Sequence, residues 1–166
     1  VVVEWGPAPY PETTEAIFDR ITAAFDGARN SRLRDDGDVE AALARPGVIE
    51  AEYRLPFLAH STMEPMNATA LFTGDRLELW AGNQTPRVQA QKAGAALGLT
   101  EAQVTVHTPL MGGGFGRRLE ADYSVLAARM AQQMPGTPVQ VVWSRAEDMT
   151  HDFSRPGIVA RLRGAV

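Results

Sequence analysis

The sequence between Val104 and Met134 indicates the class of fold. It begins with Val104-Thr105-Val106-His107, an apolar alternation that is typical of a strand. The loop Gly112-Gly113-Gly114-Phe115-Gly116-Arg117-Arg118 comes next. Apolar residues then recur at helical spacing, at Leu119, Tyr123, Leu126, Met130 and Met134. A strand, a glycine-rich loop and a helix in this order predict a domain that mixes strands with helices.

Further strands and helices are predicted on both sides of this stretch. Apolar runs predict strands at residues 48–58, 68–72, 77–81, 139–143 and 158–162, and Thr73-Gly74-Asp75-Arg76 is a hairpin signal. Thr85-Pro86 is a helix start, with Gly98 as the stop, and Ser144-Arg145-Ala146-Glu147 has a capping-box pattern. We therefore predict an α+β fold of two layers, a mixed sheet with helices.

The first 46 residues differ in composition from the rest. Three prolines between Gly6 and Pro11 exclude a regular element there. The apolar spacing from Ile17 to Phe25 predicts a helix, and Asp38 can cap a second, short helix that ends at Leu43. We predict an N-terminal arm with short helices at 1–46 and a second domain at 47–166. Because the chain starts with Val1-Val2-Val3, a pattern typical of the tail of a strand, we expect a fragment of a longer protein.

Composition excludes several functional classes. The 166 residues carry a net charge of −4, so the sequence lacks the excess of basic residues that is typical of proteins that bind nucleic acid. The absence of cysteine excludes disulfides, thiolate zinc sites and iron–sulfur ligation by this chain. The sequence also has no apolar run near the ~20 residues that span a bilayer, and no signal-peptide pattern.

The glycine loop is the first candidate site. Glycines let backbone N–H groups approach a ligand, and a following helix N-terminus favours an anion. Arg117 and Arg118 add two positive charges, so an anion cradle is one interpretation and a tight turn is the other. The loop lacks the third glycine of a dinucleotide fingerprint and the Gly-Lys-Ser/Thr of a P-loop. Phe115 is expected to pack either on a flat ligand or into the core.

Two other segments contain candidate polar residues. Gln84 lies between a strand end and a helix start, where an amide can bind the edge of a ligand or simply form a turn. His60 and Glu64 could form an acid/base or metal pair, although a structural hydrogen-bond cluster is the favoured interpretation.

Glu120 and Asp122 are not read as a catalytic carboxylate pair, because residues two positions apart cannot share one helix face. We predict no catalytic and no metal-binding residue in this chain.

Three segments together resemble one enzyme family. They are residues 58–67, which contain Met63-Glu64-Pro65-Met66-Asn67, residues 80–86, which contain Gln84, and the glycine loop. In order and spacing they resemble the large subunit of the xanthine dehydrogenase and aldehyde oxidase family, above all the isoquinoline 1-oxidoreductase β-subunit branch. The stretch Asp148-Met149-Thr150-His151-Asp152-Phe153 adds to this resemblance, which runs from about Asp36 to the end.

The resemblance implies a cofactor site and a reaction. The cofactor would be molybdopterin, bound in the parent enzyme and bound weakly or not at all by this fragment alone. Gln84 would bind near an oxo ligand of molybdenum, and the N–H groups of Phe115 and Gly116 would hold the metal's ligand sphere and the pterin. Gly112, Gly113, Gly114 and Arg117 would complete the cofactor-binding set. The parent enzyme would hydroxylate an aldehyde or N-heterocycle with oxygen from water.

The same resemblance implies which partners the chain has, which substrate is not expected, and that the chain alone lacks activity. The partners would be the remainder of the large subunit and an iron–sulfur small subunit. Arg117-Arg118-Leu119 replaces the Gly-Lys-Glu of xanthine-type members, so a purine substrate is not expected. The family's general-base glutamate lies far toward the C-terminus, so we expect this chain alone to be inactive. Two alternatives stay open: an interaction or assembly module, and a phosphate-binding domain with Arg117 and Arg118 as clamps.

Overall fold

The computed structural model describes residues 2–28 and 31–165. The chain divides into two compact units, one formed by residues 1–58 and 155–166 and the other by residues 59–154. The boundary predicted between residues 46 and 47 thus falls inside the first unit, and the division into an arm and a second domain stays a prediction. Val2 and Val3 belong to no strand, so they do not form the predicted strand tail, and Val1 lies outside the described residues.

The first unit contains two short helices and a two-stranded sheet. The helices are α1 (Thr14–Ala23) and α2 (Val39–Leu43), and the Asp38 side chain caps α2 by accepting the Ala41 N–H, as predicted. Strand β1 (Ile49–Leu55) pairs antiparallel with the last strand of the chain, Ile158–Gly164. Alternate side chains of this ribbon form the ion pairs Glu52–Arg161 and Glu50–Arg163.

The second unit has a four-stranded mixed sheet. Its strands are β2 (Asn67–Phe72), β3 (Leu77–Trp80), β4 (Val104–His107) and β5 (Val139–Val142), in the order β4-β3-β2-β5. Strands β3 and β4 are parallel because a helix connects them, and the other two pairs are antiparallel. Ala68, Ala70 and Phe72 of β2 alternate inward, which confirms the predicted strand period.

Helices form the second layer of this unit. Helix α3 (Pro86–Leu97) ends at Gly98 in the left-handed conformation, with φ 74°, as its sequence predicts. Helix α4 (Asp122–Gln132) packs on β2, and α5 (Arg145–Thr150) begins with the predicted capping box of Ser144 and Glu147. The last strand, Ile158–Gly164, is β6. The predicted α+β class with a mixed sheet and a helical layer is confirmed.

The buried side of α4 differs from the predicted one. Only Tyr123 of the five predicted apolar positions is buried, whereas Leu126, Met130 and Met134 keep 42%, 47% and 51% of their surface exposed. The side that faces the sheet carries small residues instead: Ser124, Ala127, Ala128 and Ala131. Small side chains allow the helix axis to approach β2 closely, so tight packing rather than side-chain size selects this side.

No helix among the described ranges is long and apolar enough to cross a membrane.

Candidate functional site

The glycine loop, residues 112–118, follows β4 after a four-residue connection, and its two arginines lie in a 3₁₀ turn at Arg117–Leu119 rather than in α4. Gly113, Phe115 and Gly116 all have positive φ, of 104°, 53° and 107°. Phe115 is therefore a rare non-glycine residue in the left-handed region, and its side chain is 67% exposed. The exposure rules out the prediction that Phe115 plugs the core, and backbone strain at an exposed aromatic residue is typical of functional loops.

The N-terminus of α4 does not serve as the predicted anion site. Helix α4 begins only at Asp122, and the Asp122 carboxylate itself lies in its first turn. That carboxylate accepts two hydrogen bonds from Arg117, at 2.9 and 2.7 Å. The favourable end of the helix dipole is thus already occupied by an anion of the chain.

Close packing against the chain's own residues explains two of the glycines. A Cβ added to Gly112 would lie 2.6 Å from the Glu64 Cβ, and one added to Gly114 would lie 2.6 Å from Gln84 Oε1. The loop therefore lies directly against the segment before β2 and against the segment between β3 and α3. The structure brings together the three segments that carry the resemblance.

Three consecutive N–H groups of the loop have no hydrogen-bond partner in the described part of the chain. They belong to Gly113, Gly114 and Phe115. The flanking N–H groups are used: Gly112 donates to Glu64 Oε2, and Gly116 donates to Gln84 Oε1 at 3.0 Å. Since backbone donors are rarely left unpaired, these three groups are candidates to bind a ligand. Phe115 is exposed, Gly113 is half-buried and Gly114 is buried against Gln84.

Gln84 is held beside these donors. Its backbone N–H donates to the Arg118 carbonyl at 3.1 Å, and its side-chain carbonyl accepts the Gly116 N–H. The Nε2 group of this exposed side chain donates to no group of the described residues. The amide is therefore fixed at one end by the loop and has two N–H donors free at the other.

Arg118 is the central connection of the site and is fully buried. Its guanidinium donates to the carbonyls of Gly113, Gly82 and Glu64, at 2.8, 3.0 and 3.0 Å, and its Nη2 lies 3.1 Å from Glu64 Oε2. The Tyr123 hydroxyl donates to the same Gly82 carbonyl at 2.9 Å, and burial raises the pKa of Tyr123. One cation thus ties the loop to both neighbouring segments.

Arg117 is equally buried, at 1% exposure, and lies among carboxylates and rings. Its guanidinium is paired with Asp122, its Nε lies 3.3 Å from Asp152 Oδ1, and the rings of Trp143 and Phe153 lie 5.5 and 5.4 Å from its Cζ. Burial lowers the pKa of the Arg117 guanidinium, but the carboxylates of Asp122, Asp152 and Asp148 more than offset this and raise it. Neither Arg117 nor Arg118 is free to clamp a phosphate.

His60 and Glu64 do not form a pair. His60 Nδ1 lies 2.9 Å from Asp152 Oδ1, whereas Glu64 accepts from Asn67 at 2.7 Å and from Gly112. Partial burial raises the pKa of the Glu64 carboxyl, but the Gly112 N–H, the Asn67 amide and Arg118 outweigh it and lower the pKa overall. No cluster of metal-ligating side chains occurs in residues 2–28 and 31–165.

Two parts of this arrangement were missed by sequence reasoning. Arg117 and Arg118 were interpreted as outward-facing charges, although both point inward. Asp152, which bonds His60 and approaches Arg117, lies in a stretch whose local pattern predicts no role for it. For Arg117 a local signal is Asp122, five residues later, whose carboxylate pairs with its guanidinium, whereas the acceptors of Arg118 side-chain hydrogen bonds include Glu64 and Gly82, far away in the sequence.

A family model described as the molybdopterin cofactor-binding domain matches residues 24–166. The chain belongs to this family. The match starts earlier than the resemblance predicted from about Asp36, so the family covers part of the N-terminal segment as well.

Curated relatives from bacteria agree with this family. The chain is 37% identical over 131 residues to the isoquinoline 1-oxidoreductase subunit beta of Brevundimonas diminuta, covering 77% of this chain and 17% of that protein. It is 33% identical over 166 residues to a membrane-bound aldehyde dehydrogenase [pyrroloquinoline-quinone] of Gluconacetobacter polyoxogenes, covering 98% of this chain and 22% of that protein. The chain thus spans about a fifth of the length of these relatives.

Solved structures show the same fold. The aldehyde oxidoreductase of Desulfovibrio gigas superposes with a TM-score of 0.66 at 19% identity, over 78% of this chain and 14% of that one. Quinoline 2-oxidoreductase of Pseudomonas putida 86 superposes with a TM-score of 0.54 at 23% identity, over 67% and 14%. The predicted family and fold class are confirmed.

Proposed function

We propose that this chain forms part of the molybdopterin-contacting surface of an oxidoreductase that hydroxylates an aldehyde or N-heterocycle with oxygen from water. The observation that carries the proposal is the row of three unpartnered N–H groups at Gly113, Gly114 and Phe115 beside the free amide of Gln84. The family match supports molybdopterin as the cofactor, and the likeness to the isoquinoline 1-oxidoreductase subunit supports the reaction class.

The donor set fits such a cofactor. Molybdopterin carries a pterin ring, a dithiolene and a phosphate, which together present several hydrogen-bond acceptors. The Gly113, Gly114 and Phe115 N–H groups and Gln84 Nε2 are donors only. The exposed Phe115 ring adds a flat apolar surface. When bound, the cofactor supplies the redox chemistry and the site of oxygen transfer.

The chain's own residues bind and orient in this proposal. Gln84 and the N–H groups of Gly113, Gly114 and Phe115 contact the cofactor. Gly112 and Gly116 hold the loop in place through their hydrogen bonds to Glu64 and Gln84. Arg117 contributes as a buried anchor of the loop, since its side chain is paired with Asp122. The activating base, the remainder of the large subunit and an iron–sulfur small subunit lie outside this chain, so the isolated chain is expected to bind cofactor weakly and to be inactive.

Metal and pterin analysis of the purified oxidoreductase containing this chain tests the proposal. We expect molybdenum together with a pterin that becomes fluorescent on oxidation. Gln84→Ala should increase the fraction of cofactor lost on dilution, while Gln140→Ala, an exposed glutamine on β5, should not. Pyrroloquinoline quinone in place of molybdenum would contradict the proposal, and so would dye-linked aldehyde oxidation by the isolated chain.

An assembly module is the second candidate. It is favoured by the packing of the loop against Glu64 and Gln84 and by the use of the Gly116 N–H within the chain. Under this alternative Gln84→Ala would weaken the association of the oxidoreductase's subunits and leave the cofactor content per assembled enzyme unchanged. Size-exclusion chromatography with metal analysis of each peak separates the two functions.

A further inference from the structure

The imidazole of His60 lies against the glycine loop on the side opposite its bond to Asp152. A Cβ added to Gly116 would lie 3.2 Å from His60 Nε2, whereas Nδ1 lies 2.9 Å from Asp152 Oδ1. The side chain is only 9% exposed, so the ring is held between the loop and the segment after α5. One ring nitrogen is anchored and the other is directed at the loop.

The state of the ring follows from its partner. Asp152 accepts the His60 backbone N–H, and its Oδ1 lies 3.3 Å from the Arg117 Nε. A carboxylate accepts hydrogen bonds, so the contact between Asp152 Oδ1 and His60 Nδ1 favours the tautomer whose proton is on Nδ1. In that tautomer Nε2 is unprotonated and presents a hydrogen-bond acceptor to the loop.

His60 Nε2, unlike Nδ1, has no hydrogen-bond partner among the described residues. It is not among the fully buried polar atoms that lack a partner. It therefore keeps some contact with the space beside the loop. The backbone is strained next to both residues of the contact between His60 and Gly116. Ser61, which follows His60, has a φ of 44°, and Phe115, which precedes Gly116, has a φ of 53°. Strain of this kind persists only where the surroundings enforce it.

We propose that His60 Nε2 contacts the bound cofactor as a hydrogen-bond acceptor, with Asp152 as the positioning residue that fixes the ring. This inference rests on the proposed function. It adds an acceptor to a site whose other free groups, at Gly113, Gly114, Phe115 and Gln84, are donors. A pterin ring has both acceptors and N–H donors, so an acceptor in the site would select its orientation.

Two substitutions of His60 separate contact with the cofactor from a structural role. In His60→Asn the amide reaches the place of Nδ1 and keeps a bond to Asp152, but nothing occupies the place of Nε2. In His60→Gln the amide reaches the place of Nε2 with a polar atom. Loss of one hydrogen bond to the cofactor corresponds to roughly a tenfold change in binding.

The experiment measures the rate at which molybdenum and pterin are lost from the purified oxidoreductase on dilution. We expect His60→Asn to lose cofactor roughly tenfold faster than the wild type, and His60→Gln to stay within about twofold. Equal retention by both variants, equal loss by both, or loss confined to His60→Gln would overturn the inference. If the wild-type enzyme contains no molybdopterin, the proposed function itself fails.

Nitrogen NMR of the histidine-labelled 166-residue chain tests the positioning role of Asp152. The chain has three histidines, and the signals missing in His60→Gln assign the ring of His60. We expect the wild-type ring to carry its proton on Nδ1 and Asp152→Asn to shift the proton toward Nε2, because an amide can donate to Nδ1. A wild-type ring protonated only on Nε2 would contradict the assignment.

Discussion

Arg118 Nη2 lies 3.1 Å from Glu64 Oε2 and donates to the Glu64 carbonyl at 3.0 Å, so one buried guanidinium joins the glycine loop to the segment before β2. Its other nitrogens donate to Gly113 and Gly82, on the loop and beside β3. The geometry of the candidate site thus depends on a residue that has no exposed surface.

Replacement of Arg118 with methionine should destabilise the chain strongly. The substitution leaves the Gly113 carbonyl without a donor, removes one of two donors from each of the Gly82 and Glu64 carbonyls, and removes the cation beside the Glu64 carboxylate. The expected loss is about 3 kcal/mol in the free energy of unfolding. Urea denaturation followed by circular dichroism measures it. Arg129→Met, at an exposed position of α4, is the matched control and should change stability by about 0.5 kcal/mol or less. Similar losses in both variants would contradict the role of Arg118.

A double-mutant cycle tests the contact between Gly114 and Gln84. Gly114→Ala places a methyl group 2.6 Å from the original position of Gln84 Oε1, so the amide must move and release the Gly116 N–H. We expect a cost of about 1 kcal/mol in the wild-type background and a much smaller one when Gln84 is alanine. Gly164→Ala is the control, because a Cβ there meets nothing within 4 Å. Additive effects of Gly114→Ala and Gln84→Ala would show that the two residues are not in contact.

Local features of the fold were predictable from the sequence. The hairpin at Thr73–Arg76, the stop of α3 at Gly98 and the capping box of Ser144 and Glu147 each depend on residues a few positions apart. Backbone preferences and short-range hydrogen bonds decide such features, and both are visible in the order of residues. The position of the glycine loop after β4 was predictable for the same reason.

The direction of the arginines was not predictable in this way. Arg118 bonds residues 36 and 54 positions away, and His60 bonds Asp152 across 92 positions. Whether an arginine faces solvent or the interior depends on acceptors that only the folded sheet assembles. The buried side of α4 was missed for a related reason, since close packing on β2 favours Ala127 and Ala131 over the larger Leu126 and Met130.

Glu64→Gln should change the dependence of stability on pH. The folded-state pKa of Glu64 lies below its ordinary value, because the Gly112 N–H, the Asn67 amide and Arg118 outweigh the effect of partial burial. Because the carboxyl has a lower pKa in the folded chain than in the unfolded one, its ionised form stabilises the fold. This stabilisation is fully present above the ordinary glutamate pKa of about 4.3 and is lost as the pH falls through the folded-state pKa. Wild type should therefore be more stable than Glu64→Gln at neutral pH.

The gap between the two proteins should close as the pH falls below about 4, where the wild-type carboxyl becomes protonated. Urea denaturation at a series of pH values between neutral and acid measures the gap. Parallel stability profiles for wild type and Glu64→Gln would show that the carboxylate of Glu64 is not stabilised by folding.

Ser144→Ala should loosen the segment that carries Asp148 and leads to Asp152. The Ser144 hydroxyl accepts the Glu147 N–H at 3.2 Å, and Glu147 Oε2 accepts the Ser144 N–H at 3.0 Å, so both halves of the capping box are present. Loss of such a cap costs about 1 kcal/mol, seen as a lower urea midpoint. Ser154→Ala, at an exposed position without a cap, is the control.

The effect of the cap should reach His60, since α5 leads directly into Asp152. Hydrogen exchange of the His60 N–H, which donates to the Asp152 carboxylate, should become faster in Ser144→Ala and stay unchanged in Ser154→Ala. Faster exchange confined to residues of α5 would show that Asp152 is held by Arg117 and His60 independently of the helix that precedes it.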